Sequence, residues 1–248
     1  RTDVIYTFIH RLGLFRLVLF FSIDPVLETW LGSLRAQGFG TFHLEDLWPG
    51  VTDGAWVCFL IYLVVFDFLN YWLHRMQHQW AWWWALHAVH HSQRHMTQWT
   101  DNRNHLLDDL IQAVLWVFIG QLIGIAPSQF VAVVAVTQLS ENFQHANLRV
   151  SFGYWGERLY VSPRFHRLHH AIGLGHQSPG KVLGGHNFGV LLPWWDMLFG
   201  TADFESSVEA TGIRDQVEEG RDYGEGFWAQ QRLGLKRFFA AFSTTPRA

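Results

Sequence analysis

The sequence predicts an all-α integral membrane protein whose polar portion is organised around clustered histidines. Composition is the first ground: 49% of residues are hydrophobic, 14 are Trp, and only 16% are charged, against roughly 25% in soluble proteins. The second is a set of apolar runs long enough to cross a hydrocarbon core of about 30 Å. The third is the histidines, which recur as His74-x3-His78, His87-x2-His90-His91 and His166-x2-His169-His170. Residues three and four apart share a helical face, so each cluster presents its imidazoles together. No Ser/Gly/Pro-rich linker or charge run divides the 248 residues, so residues 1–248 read as a single domain. A net charge of -3 without a basic stripe argues against a nucleic-acid partner. The single Cys58 excludes an intrachain disulfide and any Cys-ligated zinc, iron–sulfur or c-type haem centre. Protein ligands to a metal must then be His, Asp, Glu or Asn.

Taken in order, residues 4–23 are apolar but interrupted by His10, Arg11 and Arg16, which suits either a tilted span or an interfacial helix. No small-residue cleavage site follows, which argues against a signal peptide. Residues 24–53 read as an acidic loop with a short helix around Leu27–Leu34. Residues 54–73 have the length of a span and run directly into His74. Trp80 to Trp84 suit a membrane–water interface. Residues 106–126 form a further span, Pro127-Ser128 a turn, and residues 129–145 return. This hairpin puts His74 to His105, His145 and all later residues on one side of the bilayer. Arg75, Arg94, Arg103, Arg149, Arg158, Arg164 and Arg167 fall there too, so by the positive-inside rule that side is cytosolic. The remainder is a polar cap, with a Gly-rich segment carrying His176 and His186 and an acidic, loop-like stretch over 203–225. In the last helix Trp228, Leu235, Phe239 and Phe242 form an apolar stripe that either packs on the cap or rests on the membrane surface.

A lone imidazole is more often an ordinary core or surface residue than a ligand, and His10, His43 and His95 read that way. Clusters differ, because neutral imidazoles buried together would each need a partner. Imidazole is a preferred ligand of borderline transition metals, so the clusters point to a metal centre.

The succession of the three clusters, with an apolar hairpin ending in His145-Ala-Asn147, resembles the fatty acid hydroxylase/sterol desaturase superfamily of membrane di-iron enzymes. Arg103-x-His105, Ser162-Pro163, Asn187-Phe188-Gly189 and Trp195-Asp196 with Phe199-Gly200-Thr201 agree with it. The resemblance covers roughly residues 67–201, and the short interval from His78 to His87 favours the hydroxylase-type branch over the acyl desaturases. It implies about four transmembrane helices under a cytosolic helical cap, two iron ions and O2 as oxidant. It also implies a lipid or sterol-like substrate whose unactivated C–H bond is hydroxylated or desaturated. Electrons would come from an external donor: cytochrome b5, ferredoxin or a pterin.

Two metals need about eight to ten protein ligands, and the motifs supply His74, His78, His87, His90, His91, His145, His166, His169 and His170. His186 is the best tenth, with His105 and Glu141 as rivals. Glu141 stands where family members often carry a His. An almost all-imidazole shell would rely on nearby acids to offset the metal charge. Asp67, Asn147 and Asn187 are the leading residues for orienting ligands, with Asp101, Asp108, Asp109 and Asp196 behind them. Asp67 shares a stripe with His74 but lies about 10 Å away along the helix, so it is expected to orient an imidazole from another helix. The alternative is a structural Asp bonded to Asn or Trp. Leu69, Trp72, Leu110 and Val114 are expected to line an apolar channel. Two other functions fit the same residues: an ether-lipid monooxygenase using a pterin reductant, and a non-redox membrane protein binding zinc.

Overall fold

A computed structural model describes residues 2–10, 15, 18, 21–22, 24–40, 42–148, 150–172, 177–178, 182–183, 185–205 and 210–243. Much of the 4–23 stretch and all of His176 lie outside the described residues, so the expectations placed on them do too. Among the described residues the helices are α1 (Thr2–His10), α2 (Asp24–Ala36), α3 (Ala55–Gln79), α4 (Ala81–His91), α5 (Leu106–Leu122), α6 (Pro127–His145), α7 (Gly153–Leu159), α8 (Pro163–His169), α9 (Trp194–Leu198), α10 (Arg214–Glu218) and α11 (Phe227–Ala240). Among the described residues the only sheet is an antiparallel pair, Gln177–Ser178 with Val182–Leu183. The chain is thus all-α, as expected. α2 is longer than the short helix expected there, because nothing after Pro25 in its first turn breaks the backbone pattern.

α3 is the axis of the molecule. Its 25 residues contain neither Gly nor Pro, and it stops only where the backbone turns extended at Trp80. Cys58, Tyr62 and Phe66 on its apolar half pack with Trp116 of α5 and Phe130 and Val133 of α6. Phe66 and Trp116 stack at 5.1 Å between centroids. The other end of α3 carries His74 and His78, so one rigid element joins the apolar core to the histidines.

Of the described helices, α3 is the one long and apolar enough to cross a membrane. The hairpin expected over 106–145 forms as α5 and α6, but neither helix reaches that length and hydropathy. α5 has 17 residues and ends before Gly124, whose φ of +67 closes the turn. The last two turns of α6 hold the polar residues Gln138, Ser140, Glu141, Asn142 and Gln144, of which Glu141 and Gln144 line the cavity at the histidines.

α11 packs against α4 through a face beside its apolar stripe rather than through the stripe itself. Phe227, Gln230, Gln231 and Gly234 are buried. Gly234 lies so close to His105 that an added Cβ would stand 2.5 Å from its ring. The stripe itself stays outside: Trp228 is 77% and Phe239 64% exposed.

Candidate metal centre

The histidines form two groups. His74, His78, His87, His91 and His169 make one; His90, His145, His166 and His170 make the other, and within each the ligand atoms lie within 4.8 Å of one another. Helical spacing accommodates the division, which the docking of the two helices decides. His87 and His91, like His166 and His170, are one helical turn apart and enter the same group, whereas His90 and His169, offset to the other side of the turn, enter the opposite one. Each x2-His-His cluster therefore feeds both groups and ties them together. The rings of His91 and His170 stack at 4.3 Å across the boundary.

The ring nitrogens converge. In the second group His90 Nε2 to His145 Nε2 is 3.1 Å, His145 Nε2 to His166 Nε2 is 2.9 Å, and His166 Nε2 to His170 Nε2 is 3.2 Å. His87 Nε2 and His91 Nε2 in the first group are 3.2 Å apart. Each Nε2 carries either one proton or one lone pair, so a run of three such contacts cannot all be hydrogen bonds. Ligands about 2.1 Å from a common ion and at right angles would be about 3.0 Å apart, close to these spacings. The donor set therefore fits two transition-metal ions, one per group. Burial, and then repulsion from the neighbouring imidazoles, holds His90, His166 and His170 well below the usual histidine range, so their rings are neutral and able to coordinate.

The opposite ring nitrogens are fixed from outside. His74 Nδ1 donates to the Phe188 carbonyl at 2.9 Å, His169 Nδ1 to the His186 carbonyl at 2.8 Å, and His145 Nδ1 to the Glu141 carbonyl at 2.7 Å. Since a carbonyl only accepts, these contacts set the tautomer and leave Nε2 bare toward the centre. Two buried acids stand behind the rings. Asp108 lies 3.5 Å from His87 Nδ1 and accepts from Trp83 Nε1 at 2.7 Å and Gln77 Nε2 at 3.0 Å. Asp101 lies 3.6 Å from His145 Nδ1 and accepts from Gln138 Nε2 at 2.8 Å.

Nine of the ten expected metal ligands thus come together. His186 reaches the site through its backbone carbonyl, and its ring joins neither group. His105 is turned away: it caps α5 by accepting from Leu107 N, and its Nε2 bonds the Gln231 carbonyl. Glu141 lines a cavity beside His90, His145 and His166, next to the group with one imidazole fewer. His186→Ala is accordingly expected to retain the metal content of the unaltered protein, measured per folded chain, because its carbonyl survives the substitution.

The expected orienting residues are redistributed. Asp67 does not bond an imidazole. Its carboxylate accepts from Leu191 N at 2.7 Å, Leu192 N at 3.1 Å and Trp195 Nε1 at 2.8 Å, which is the structural alternative. It acts at one remove, since the backbone it holds begins three residues after Phe188, whose carbonyl orients His74. Asp196 grips the preceding residues through Phe188 N and Gly189 N. An added Cβ on Gly189 would meet that carboxylate at 2.8 Å. Asn187 does not touch a ring either: in the left-handed region at φ 59, it donates to the Phe165 and Asp203 carbonyls and ties α8 to the chain after Thr201. Asn147 is exposed and accepts from Arg167. Asp109 pairs with His10, away from the rings. Asp101 and Asp108, ranked lower on sequence, are the acids beside the imidazoles. Their nearness to Arg103-x-His105 in the chain was the available signal.

A family model described as fatty acid hydroxylase matches residues 59–201, which include all nine converging histidines. The chain belongs to the fatty acid hydroxylase family. It is 30% identical over 189 residues to ornithine lipid hydroxylase OlsE of Rhizobium tropici, covering 75% of this chain and 54% of the relative. It is 31% identical over 178 residues to alkylglycerol monooxygenase of Danio rerio, covering 71% and 36%. It is 24% identical over 159 residues to a Delta(7)-sterol 5(6)-desaturase of Gibberella zeae, covering 61% and 47%. The chain therefore spans about half or less of the length of these relatives. No solved structure matches it. In this fatty acid hydroxylase family member the matched region runs from the apolar half of α3 to Thr201, so it includes the segment clamped by Asp67 and Asp196.

Proposed function

We propose that this chain forms a di-iron membrane oxidoreductase that hydroxylates, or desaturates, an unactivated C–H bond of a lipid. The observation that carries the reading is the convergence of nine buried imidazoles into two adjoining groups with their Nε2 atoms inward. When bound, two iron ions would supply the redox chemistry: with two electrons and two protons from outside, hydroxylation puts one atom of O2 into the C–H bond and releases the other as water, whereas desaturation removes two hydrogens and releases both as water. The residues do the rest. His74, His78, His87, His91 and His169 would hold one ion and His90, His145, His166 and His170 the other. Glu141 is positioned to complete the second set. Asp101 and Asp108 offset part of the ions' charge, and carbonyls of 141, 186 and 188 keep the rings from turning. Electrons would come from an external donor such as cytochrome b5, ferredoxin or a pterin. Single turnover of iron-loaded protein in lipid, with product sought by mass spectrometry as a gain of one oxygen or a loss of two hydrogens, tests this. Product must need O2, iron and reductant together; product formed with zinc alone overturns the redox reading.

The proposed setting is four membrane-embedded helices with the histidine end on the cytosolic side. α3 is long and apolar enough to cross alone, and α5 and α6 share its apolar core. Trp228, Leu235 and Phe239 on α11, and Phe242 just after it, stay exposed while an adjoining face packs inward, in keeping with a helix lying on the membrane surface. Trp82 stacks on Phe242 and extends that surface. Tags inserted at residues 127 and 203 should label from opposite sides of the membrane, the second from the cytosol; labelling of both from one side removes the hairpin from the bilayer.

A further inference from the structure

A cavity touches both histidine groups, through His74 and His87 of one and His90, His145 and His166 of the other. Leu69, Trp72, Leu110 and Val114, expected to line an apolar channel from the bilayer, are not among its walls. Its remaining walls are Asn70, Gln77, Asn104, Gln112, Gln144, Asp101 and Glu141, with Leu73 and Val190 the only aliphatic members. Most of these polar groups are already engaged. Gln77 and Gln112 donate to Asp108, and Asn104 donates to the Asp101 carbonyl. Gln144 is different. Its Nε2 donates to Ser140 Oγ at 2.7 Å and to the Val190 carbonyl at 2.6 Å. Because Val190 offers only an acceptor, the amide cannot be flipped, and Oε1 must be the free end. That oxygen has no hydrogen-bond partner, although Gln144 is 1% exposed. A buried acceptor left bare costs about 1–3 kcal/mol, so a donor belongs there in the working state.

We propose that this cavity receives a hydrogen-bond donor of the substrate, a hydroxyl or an amino group, on Gln144 Oε1. The carbon presented to the metal pair then lies within a few bonds of that group. This rests on the lipid-oxidation reading above and narrows it to lipids oxidised near a polar head, rather than in mid-chain or on a plain hydrocarbon. Asn70 lies one turn before His74 on the side of the apolar run of α3. A lipid entering from the bilayer would therefore bring its head to the amides with its tail behind it.

The test uses two photoreactive probes on the full chain in detergent: hexadecylglycerol with a diazirine beside the glycerol, and a hexadecyl chain with the same diazirine and no hydroxyl. The hydroxyl probe is expected to mark peptides containing residues 70–77 and 141–145. The hydroxyl-free probe should mark them at least about ten-fold less. Gln144→Met, which removes the acceptor at similar volume, should lower marking by the first probe about ten-fold and leave the second unchanged. Equal marking by both probes in the unaltered protein overturns the proposal, and this comparison needs no variant to fold. Insensitivity of the first probe to Gln144→Met in correctly folded protein overturns it too. Neither outcome touches lipid oxidation as such, which fails instead if iron-loaded, reduced protein yields no oxygen-dependent product.

Discussion

His87→Ala and His169→Ala should each lower turnover at least about 100-fold while the protein still inserts in the membrane. Loss of a group that merely orients a ligand typically costs 10- to 100-fold, and these substitutions remove ligands themselves. Both belong to the same group of five imidazoles, although they lie on different helices, α4 and α8. Each should therefore deplete one metal and spare most of the other, so about half the metal should remain per folded chain. His105→Ala is the control: its ring is equally buried but bonds the Gln231 carbonyl, so stability should fall while metal content per folded chain stays. The measurements are metal analysis and turnover of purified variants, normalised to folded protein. Full turnover in either ligand variant would sink the assignment of that group.

Asp67→Leu is expected to be the most damaging change outside the imidazoles. The substitution suits an apolar helix, yet it strands three donors, Leu191 N, Leu192 N and Trp195 Nε1, around a site 1% exposed. Buried donors without acceptors cost about 1–3 kcal/mol each, so the loss should reach about 3 kcal/mol or more. The damage should propagate, because the released backbone begins three residues after Phe188, whose carbonyl orients His74. Asp67→Asn keeps one acceptor but turns an amide N–H toward N–H donors, and should fall between the two. Thermal unfolding in detergent and metal content per folded chain separate the effects: stability drops in both variants, and the His74 group loses metal more readily than the other. Unchanged melting in Asp67→Leu would mean that the carboxylate does not hold this segment.

The histidine chemistry was legible in the sequence because it is local. Spacings of three and four fix which imidazoles share a helical face, whatever the helix packs against, and nine of the ten named ligands do converge. The helical class follows from the long apolar runs and was legible as well, whereas the short helices Gly153–Leu159, Trp194–Leu198 and Arg214–Glu218 carry no such run. Long-range neighbours were not. Spacing alone could not say that His90 and His169 cross to the group opposite their own cluster mates, since that depends on how α4 and α8 dock. A buried acid in an apolar run marks Asp67 as costly and therefore partnered, but its donors lie 124 to 128 residues away in the chain. The same limit left Asp101 and Asp108 behind Asp67, until α4 and α6 bring His87 and His145 against them. It also left open which face of α11 packs inward, where Gly234 approaches His105 closely and Trp228 and Phe239 stay outside. Periodicity is a property of one helix, whereas a carboxylate's partner, a cavity's lining and a helix's buried face are properties of two or more elements in contact, and only the tertiary structure supplies them.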